Sequence, residues 1–210
     1  MNEKFVITIG RQLGSGGHQI GKKLAGELSI SFYDKELIQI ASQESGLGKE
    51  FFEQADEKTS HSLLGGLFDS RSSLMDGMYV NNYLSNEALF KIQSDVIRQL
   101  SEQKSCLFLG RCADYILNQH PRSVNVFIAA DMADRIKRIA DIDKLTKTKA
   151  KEFLDKTDKQ RAEYYNYYSG RIWGAAGSYH LCINSSVLGI DQTADFIRRF
   201  TQQKLGRNDK

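Results

Sequence analysis

The feature that most constrains this chain is a buried strand that runs directly into a glycine-rich loop and then into a helix. The run Phe5–Ile9 is short, apolar and largely β-branched, which is typical of a strand covered on both faces in a parallel sheet. The loop Gly10–Gly17 contains four glycines, and apolar residues at four-residue spacing indicate a helix over His18–Leu28. Backbone N–H groups in such a loop can converge on an anion, which the helix N-terminus also attracts.

Strand and helix patterns alternate along the rest of the chain, which predicts βαβ units and a parallel sheet with helices on both faces. Strands are predicted at Phe5–Ile9, Ile30–Tyr33, Cys106–Leu109, Val124–Ala129 and His180–Asn184. Helices are predicted at His18–Leu28, Asp34–Ser45, Glu87–Gln103, Arg111–Asn118, Met132–Asp141 and Asp191–Gln203. Residues 146–169 indicate two helices or one broken helix, and residues 61–80 a mobile excursion or an ordinary surface loop.

Composition narrows the classes of function. The chain has 210 residues, which fits one domain, and its net charge of +3 is too small for bulk attraction to nucleic acid. Three cysteines without paired spacing fit a reducing cytoplasm better than a disulfide framework or a zinc site. No apolar run is long enough to cross a bilayer, and no signal peptide is recognisable. We therefore expect a cytoplasmic protein that acts on neither membranes nor nucleic acid.

The glycine-rich loop departs from the standard phosphate-binding loop of nucleotide-binding proteins. That pattern ends in Gly-Lys-Ser/Thr, where the lysine reaches the β- and γ-phosphates and the hydroxyl holds Mg²⁺. Here Gly17 and His18 follow Gly16, so both groups are missing. The side chains that could replace them are Arg11 at the loop mouth, Ser15 within the loop, and Lys22 and Lys23 on the helix. The alternative is a tight strand–helix turn that binds no ligand.

Three segments together resemble the cytidylate kinase-like family, a divergent branch of the nucleoside monophosphate kinases. They are residues 10–25 (GRQLGSGGHQIGKKLA), residues 32–38 (FYDKELI) and residues 109–114 (LGRCAD). The resemblance implies the three-layer α/β fold of P-loop NTPases, with a parallel sheet of about five strands. It also implies one kinase-like domain over 1–204, with an insertion at 34–103 that binds the nucleoside monophosphate, a lid at 141–178, and a flexible tail at 205–210.

The same resemblance implies transfer of the γ-phosphoryl group of ATP, with Mg²⁺, to a nucleoside monophosphate such as CMP. It assigns the donor phosphates to Gly10, Arg11, Gly14, Ser15, Gly16, Gly17, His18 and Gln19. It assigns the acceptor to Tyr33, Asp34, Arg111, Asp114 and Asp158, and catalysis to Arg11, Arg138 and Arg161. Arginine suits such positions because it stays charged and binds phosphate with two parallel hydrogen bonds. True cytidylate kinases have Asp directly after this arginine, whereas this chain has Cys112 directly after Arg111.

Other interpretations stay open at the level of sequence. The missing lysine favours a nucleotide-binding protein with little or no transfer, and another small phosphorylatable metabolite could replace the nucleotide acceptor. Arg135 and Arg138 either lead into the lid or are solvated surface charges. The tyrosines at 164–168 either stack on a base or pack in the interior. The histidines show no metal-binding spacing, so we expect no metal held by the protein alone. We expect small-molecule nucleotides as the partners. The sequence does not indicate the oligomeric state.

Overall fold

The computed structural model describes residues 3–34 and 86–206, together with residues 37, 40 and 44. Within these residues, one parallel sheet is formed by β1 (Val6–Arg11), β2 (Ser31–Tyr33), β3 (Cys106–Leu109), β4 (Ser123–Ala129) and β5 (Leu181–Asn184). The strand order is β2–β3–β1–β4–β5. The predicted α/β class with about five parallel strands is therefore confirmed.

Strand β1 lies at the centre of this sheet, which explains why its sequence is apolar on both faces. It pairs with β3, where Ile9 lies beside Leu109, and with β4, where Arg11 lies beside Ile128. The glycine-rich loop follows β1, Asp34 follows β2, and Gly110 follows β3. Because carboxyl ends of parallel strands meet at one edge, the topology brings these three segments together.

The helices occupy the connections between the strands. They are α1 (Gly17–Leu28), α2 (Asn86–Gln103), α3 (Ala113–Ile116), α4 (Met132–Asp143), α5 (Lys147–Ser169) and α6 (Ser185–Gly206), with a 3₁₀ turn at Ala176–Ser178. Helices therefore alternate with strands, as the sequence predicted.

Three helices differ from the predictions, each for a local reason. The α5 segment is one continuous helix rather than a broken one, and Thr146 caps it by accepting from the Lys149 N–H at 3.3 Å. The α3 helix is shorter than predicted because Arg111 and Cys112 have left-handed backbone angles, with φ of 60° and 55°. The α6 helix starts earlier than predicted and is interrupted at Gly189, where φ is 74° and ψ is 176°.

The main apolar core lies on the face of the sheet that α1 and α6 cover. It joins Ile7 and Ile9 of β1 to Ile20 and Leu24 of α1 and to Ile197 of α6. The side chains of β1 with odd numbers face this core, since neighbouring residues of a strand point to opposite faces. Arg11 has the same parity, so it stands at the edge of the core where β1 ends.

Aromatic side chains cover part of the opposite face. Phe127 of β4 contacts Trp173 and Tyr179 with ring-centroid distances of 5.2 and 5.1 Å, and Tyr179 stacks on Tyr165 of α5 at 6.4 Å. Tyr165 is buried, so at this tyrosine the packing interpretation is correct. The C-terminal part of α5 is thereby attached to the sheet.

The chain divides into two compact units. One contains residues 1–34 and 98–210 and holds the whole sheet, and the other contains residues 35–97. The excursion predicted at residues 61–80 lies outside the described residues, as does most of the helix predicted at Asp34–Ser45. Among the described helices, none combines the length and the apolar character that crossing a bilayer requires.

Candidate active site

The glycine-rich loop holds its shape through left-handed glycines and internal hydrogen bonds. Gly14 and Gly16 have φ of 74° and 77°, and a side chain at Gly14 would begin 2.9 Å from the carbonyl oxygen of Arg135. The buried hydroxyl of Ser15 donates to the Gln12 carbonyl at 2.8 Å, while the Ser15 carbonyl accepts from Ser185 at 2.6 Å. The predicted contact of Ser15 with phosphate stays a prediction, because its hydroxyl is engaged within the loop.

Two helices far along the chain hold the same loop in place. Leu13 donates its N–H to Asp158 Oδ1 at 2.8 Å, and its carbonyl accepts from Arg135 Nε at 2.7 Å. Arg135 also donates to Asp158 Oδ2, so these two residues of α4 and α5 clamp one residue of the loop. The Leu13 side chain packs on the apolar cluster between the two helices, around Leu154. The loop and the predicted lid region are therefore physically joined.

Arg135 and Arg138 both contact the loop, and Arg135 is buried while Arg138 is half-buried. Arg135 is 4% exposed, so the surface-charge interpretation is wrong for this residue. Arg138 donates to the Gly14 carbonyl, and Arg161 of α5 donates to the Arg11 carbonyl at 3.1 Å. The structure thus brings two of the three arginines predicted to be catalytic, Arg138 and Arg161, to the carbonyl oxygens of the glycine-rich loop.

Among the described residues, arginines outnumber carboxylates in the contacts around this loop. The guanidinium groups are Arg11, Arg111, Arg135, Arg138 and Arg161, and the described carboxylates that interact with Arg11, Arg135 and Arg161 are Asp34 and Asp158. Burial lowers the pKa of Arg161 and raises the pKa of Asp158, which the bonds from Leu13 and Arg135 oppose. Partly desolvated cations in excess of their counter-ions stabilise a bound anion.

The turn after β3 holds Arg111 in an unusual conformation. Gly110, Arg111 and Cys112 have consecutive positive φ angles of 80°, 60° and 55°. Such angles disfavour any residue with a side chain, and strained residues of this kind concentrate at functional sites. The Gly110 N–H donates to the Ile9 carbonyl at 3.0 Å, which places the turn beside the end of β1.

Of the residues predicted to bind the acceptor, Asp34 lies close to the loop. Its two carboxylate oxygens are 3.7 Å from Arg11 Nη2 and 3.7 Å from His18 Nε2. His18 is at the start of α1 with 58% of its side chain exposed, and Gln19 beside it is also exposed. Lys23, in contrast, is bound by Asp191 at 2.5 Å, which argues against the predicted alternative that it reaches the phosphates.

Tyr33 and Asp114 have packing roles in this structure. Tyr33 is buried and stacks on Phe108 with centroids 5.3 Å apart. Asp114 is buried and accepts from the Tyr165 hydroxyl at 2.6 Å, and burial raises the pKa of its carboxyl group. Their predicted contacts with the acceptor stay predictions.

Sequence reasoning missed two residues that shape the loop. The Gln12 N–H donates to the Ile128 carbonyl at 3.0 Å, and its side-chain oxygen accepts from the Ala130 N–H at 3.2 Å. Ser185 donates to the Ser15 carbonyl across 170 positions of sequence. No local pattern marks such pairs, because only the completed sheet brings them together.

A parallel sheet in this order, with a glycine-rich loop between its central strand and first helix, defines the class of P-loop kinases. The cytidylate kinase-like family matches residues 6–187, and the chain belongs to that family. Among curated proteins, none matches the chain significantly.

Solved structures support the same fold. An uncharacterized protein from Eubacterium ventriosum is 26% identical, with a TM-score of 0.71 and coverage of 95% of this chain and 99% of that one. A shikimate kinase from Bacteroides thetaiotaomicron is 12% identical, with a TM-score of 0.52 and coverage of 96% and 98%. A gluconokinase from Sinorhizobium meliloti is 11% identical, with a TM-score of 0.50 and coverage of 98% and 94%. The last two are similar to this chain in fold only.

Proposed function

We propose that the protein transfers the γ-phosphoryl group of ATP to a nucleoside monophosphate, with CMP the first acceptor to test. The observation that carries this proposal is the cluster of five arginines around the glycine-rich loop. Phosphoryl transfer requires chiefly that two anionic groups be positioned and that their spreading charge be stabilised. A cluster of guanidinium groups meets that requirement.

The roles follow from the position of each group. The loop from Gly14 to His18 and the N-terminus of α1 offer backbone N–H groups to the donor phosphates. Arg138 and Arg161 donate to loop carbonyls, from which short side-chain movements would bring them onto the transferring phosphoryl group. Arg111, on the neighbouring turn, would bind the acceptor phosphate. We assign residues 34–103 to acceptor binding, which the separate compact unit at 35–97 supports, and residues 141–178 to a lid.

Mg²⁺ would arrive with the ATP phosphates. No group of three or more His, Cys, Asp or Glu side chains suited to a metal ion occurs within the described ranges. His18 stands where the usual metal-binding hydroxyl would be, and the Asp34 carboxylate lies 3.7 Å from its Nε2. Asp34 fits as the residue that would hold Mg²⁺, whose chemistry is to neutralise charge on the phosphates.

An assay of ADP release against a panel of nucleoside monophosphates tests the proposal. Arg111→Ala should raise the acceptor KM, because it removes a binding group. Arg161→Ala should lower kcat by about 10²–10³, as expected for a group that stabilises transition-state charge. Arg199→Ala is the matched control, because Arg199 is a 63% exposed arginine on α6. Absence of turnover with every acceptor, in protein that binds ATP, would instead favour a nucleotide-binding protein without transfer.

One observation favours a second acceptor class. Asp34 carries negative charge beside the loop, where it would repel an acceptor phosphate but would accept a proton from an attacking hydroxyl. A small hydroxylated metabolite is therefore the second candidate acceptor. The panel should include sugars and hydroxy acids. Asp34→Asn should lower turnover with a hydroxyl acceptor more than with a phosphate acceptor, because only the hydroxyl acceptor also loses the group that takes its proton.

A further inference from the structure

The side chain of Arg11 lies in a slot whose walls are two glycines. Arg11 is the last residue of β1, and its stem passes against Gly17 at the start of α1. Its guanidinium group passes against Gly110 on the turn after β3, where an added Cβ would overlap Nη1. The far end of the group is 3.7 Å from Asp34. The side chain therefore crosses the carboxyl edge of the sheet from β1 toward β2.

Gly17 occupies the position where the standard phosphate-binding loop has its lysine. A Cβ at this position would lie 2.7 Å from the Arg11 Cβ and 2.9 Å from the Arg11 Cγ. The backbone of Gly17 is helical, so its conformation would accept any residue. The obstacle to a side chain at position 17 is therefore the space that Arg11 fills.

Charge around the slot leaves Arg11 available for an anion. Its only described carboxylate partner within ion-pair distance, Asp34, is 3.7 Å away and is also 3.7 Å from His18. Burial, and then the neighbouring Arg161, lower the pKa of Arg11 to about 9, which leaves it charged at neutral pH. A cation in such surroundings is stabilised by a polyphosphate that brings further negative charge.

We infer that Arg11 performs the phosphate-binding task of the absent lysine, and that Gly17 is a glycine because the arginine crosses its Cα. The cation is carried by the end of the preceding strand instead of the first turn of the helix, and its stem fills the space that a side chain at position 17 would need. Arginine there binds phosphate oxygens with two donors where lysine would offer a point charge. This inference rests on the proposed function, since it assigns a residue to the same phosphate site.

The inference is tested by moving the positive charge from position 11 to position 17. MgATP binding is measured by titration calorimetry, and the Tm by thermal unfolding. Arg11→Met, which keeps the apolar stem, should weaken MgATP binding about 10- to 100-fold, the usual worth of a charge-assisted hydrogen bond. Gly17→Lys alone should lower the Tm, because two side chains then compete for one slot. The double variant Arg11→Ala/Gly17→Lys should regain the Tm and most of the affinity. Arg199→Ala should bind as the wild type does.

The outcomes separate this inference from the proposed function. Unchanged affinity in Arg11→Met would overturn it while nucleotide binding stands. If Arg11→Ala/Gly17→Lys bound MgATP no better than Arg11→Ala, a lysine at position 17 would not replace Arg11, and the inference would be wrong. It would also be wrong if Gly17→Lys had the same Tm as the double variant, because the two side chains would then not compete for one slot. A wild-type protein that binds no MgATP would overturn the proposed function, and this inference with it.

Discussion

At the level of single residues, the turn Gly110–Cys112 lies beside the end of the central strand β1 and has unfavourable backbone angles. Arg111 and Cys112 both have left-handed φ angles, which only glycine adopts without a steric penalty. Neither the residue types nor their spacing in the sequence predicts this conformation. The segment was predicted as the start of a helix, since its composition does not disfavour one. The backbone angles of the folded chain show the strain. The Gly110 N–H donates to the Ile9 carbonyl of β1, which fixes where the turn begins.

Comparison of Arg111→Gly with Arg111→Ala measures this strain. Both variants lack the guanidinium group, but only glycine accepts the left-handed angle freely. We expect Arg111→Gly to have a free energy of unfolding about 1 kcal/mol higher than Arg111→Ala in urea titrations. Both should show the same increase in acceptor KM. Equal stability of the two variants would mean that the turn is not strained.

The buried carboxyl group of Asp114 makes a second prediction, which concerns pH. Its pKa is raised above 3.8 by burial, although the bond from Tyr165 opposes the shift. The folded protein therefore holds a proton that the unfolded chain has released, so stability falls as pH rises from 3.8 through the raised pKa. Asp114→Asn, which keeps an acceptor for Tyr165, should remove this loss.

Measurement of the free energy of unfolding of both proteins from about pH 4 to pH 7 checks this prediction. The wild type should lose stability relative to Asp114→Asn as pH rises, until the carboxyl group is ionised in both states. A difference that does not change with pH would show that Asp114 titrates alike in the folded and unfolded chains.

Among the elements, α5 makes contacts that its sequence does not indicate. Arg161 was predicted to act on the transferring phosphoryl group and Asp158 to bind the acceptor. The structure shows how α5 reaches the loop, through bonds to Leu13 and to the Arg11 carbonyl. The sequence predicted which residues matter because their order resembles a family pattern. It did not predict that Arg135 is buried against Asp158, because a short amphipathic helix with two arginines is usually solvated.

Removal of Asp158 should be costly because it leaves Arg135 buried without its carboxylate. We expect Asp158→Ala to lower the free energy of unfolding by about 3–5 kcal/mol, the usual effect of breaking a buried ion pair from one side. Asp155→Ala is the control on the same helix, where the exposed pair with Lys151 should contribute less than about 1 kcal/mol.

Urea titration distinguishes the two variants, and a double variant completes the cycle. Asp158→Ala/Arg135→Met should recover part of the loss, because it also removes the stranded charge. If Asp158→Ala were no more destabilising than Asp155→Ala, the clamp between α4, α5 and the loop would not contribute to stability.

For the whole molecule, the fold was predictable in outline because strand and helix patterns are local. All five predicted strands match those observed to within two residues at each end, and β1 leads into the glycine-rich loop as predicted. The strand order could not be worked out from these patterns, since parallel pairing joins residues about 100 positions apart. The contacts that fix the loop also join positions far apart in sequence. The sequence therefore predicted which residues form the site but not how they are arranged in space.

A ligand that binds only the folded chain should stabilise the whole molecule. At a MgATP concentration 100 times its Kd, the free energy of unfolding should rise by about 2.7 kcal/mol, which for a chain of this size raises the Tm by roughly 5–10 °C. Thermal unfolding with and without MgATP measures the shift. Adenosine is the matched control, because it lacks the phosphates that the loop would bind. An equal shift with adenosine would place the nucleotide elsewhere.

The distant hydrogen bonds of the glycine-rich loop have a consequence during synthesis. Leu13 depends on Asp158, 145 positions downstream, and Ser15 on Ser185, 170 positions downstream. The loop can therefore take this shape only after synthesis has passed residues 158 and 185. A nascent chain that stops before residue 158 carries the complete glycine motif yet lacks two of the groups that shape it, so the proposed nucleotide binding would have to wait for them.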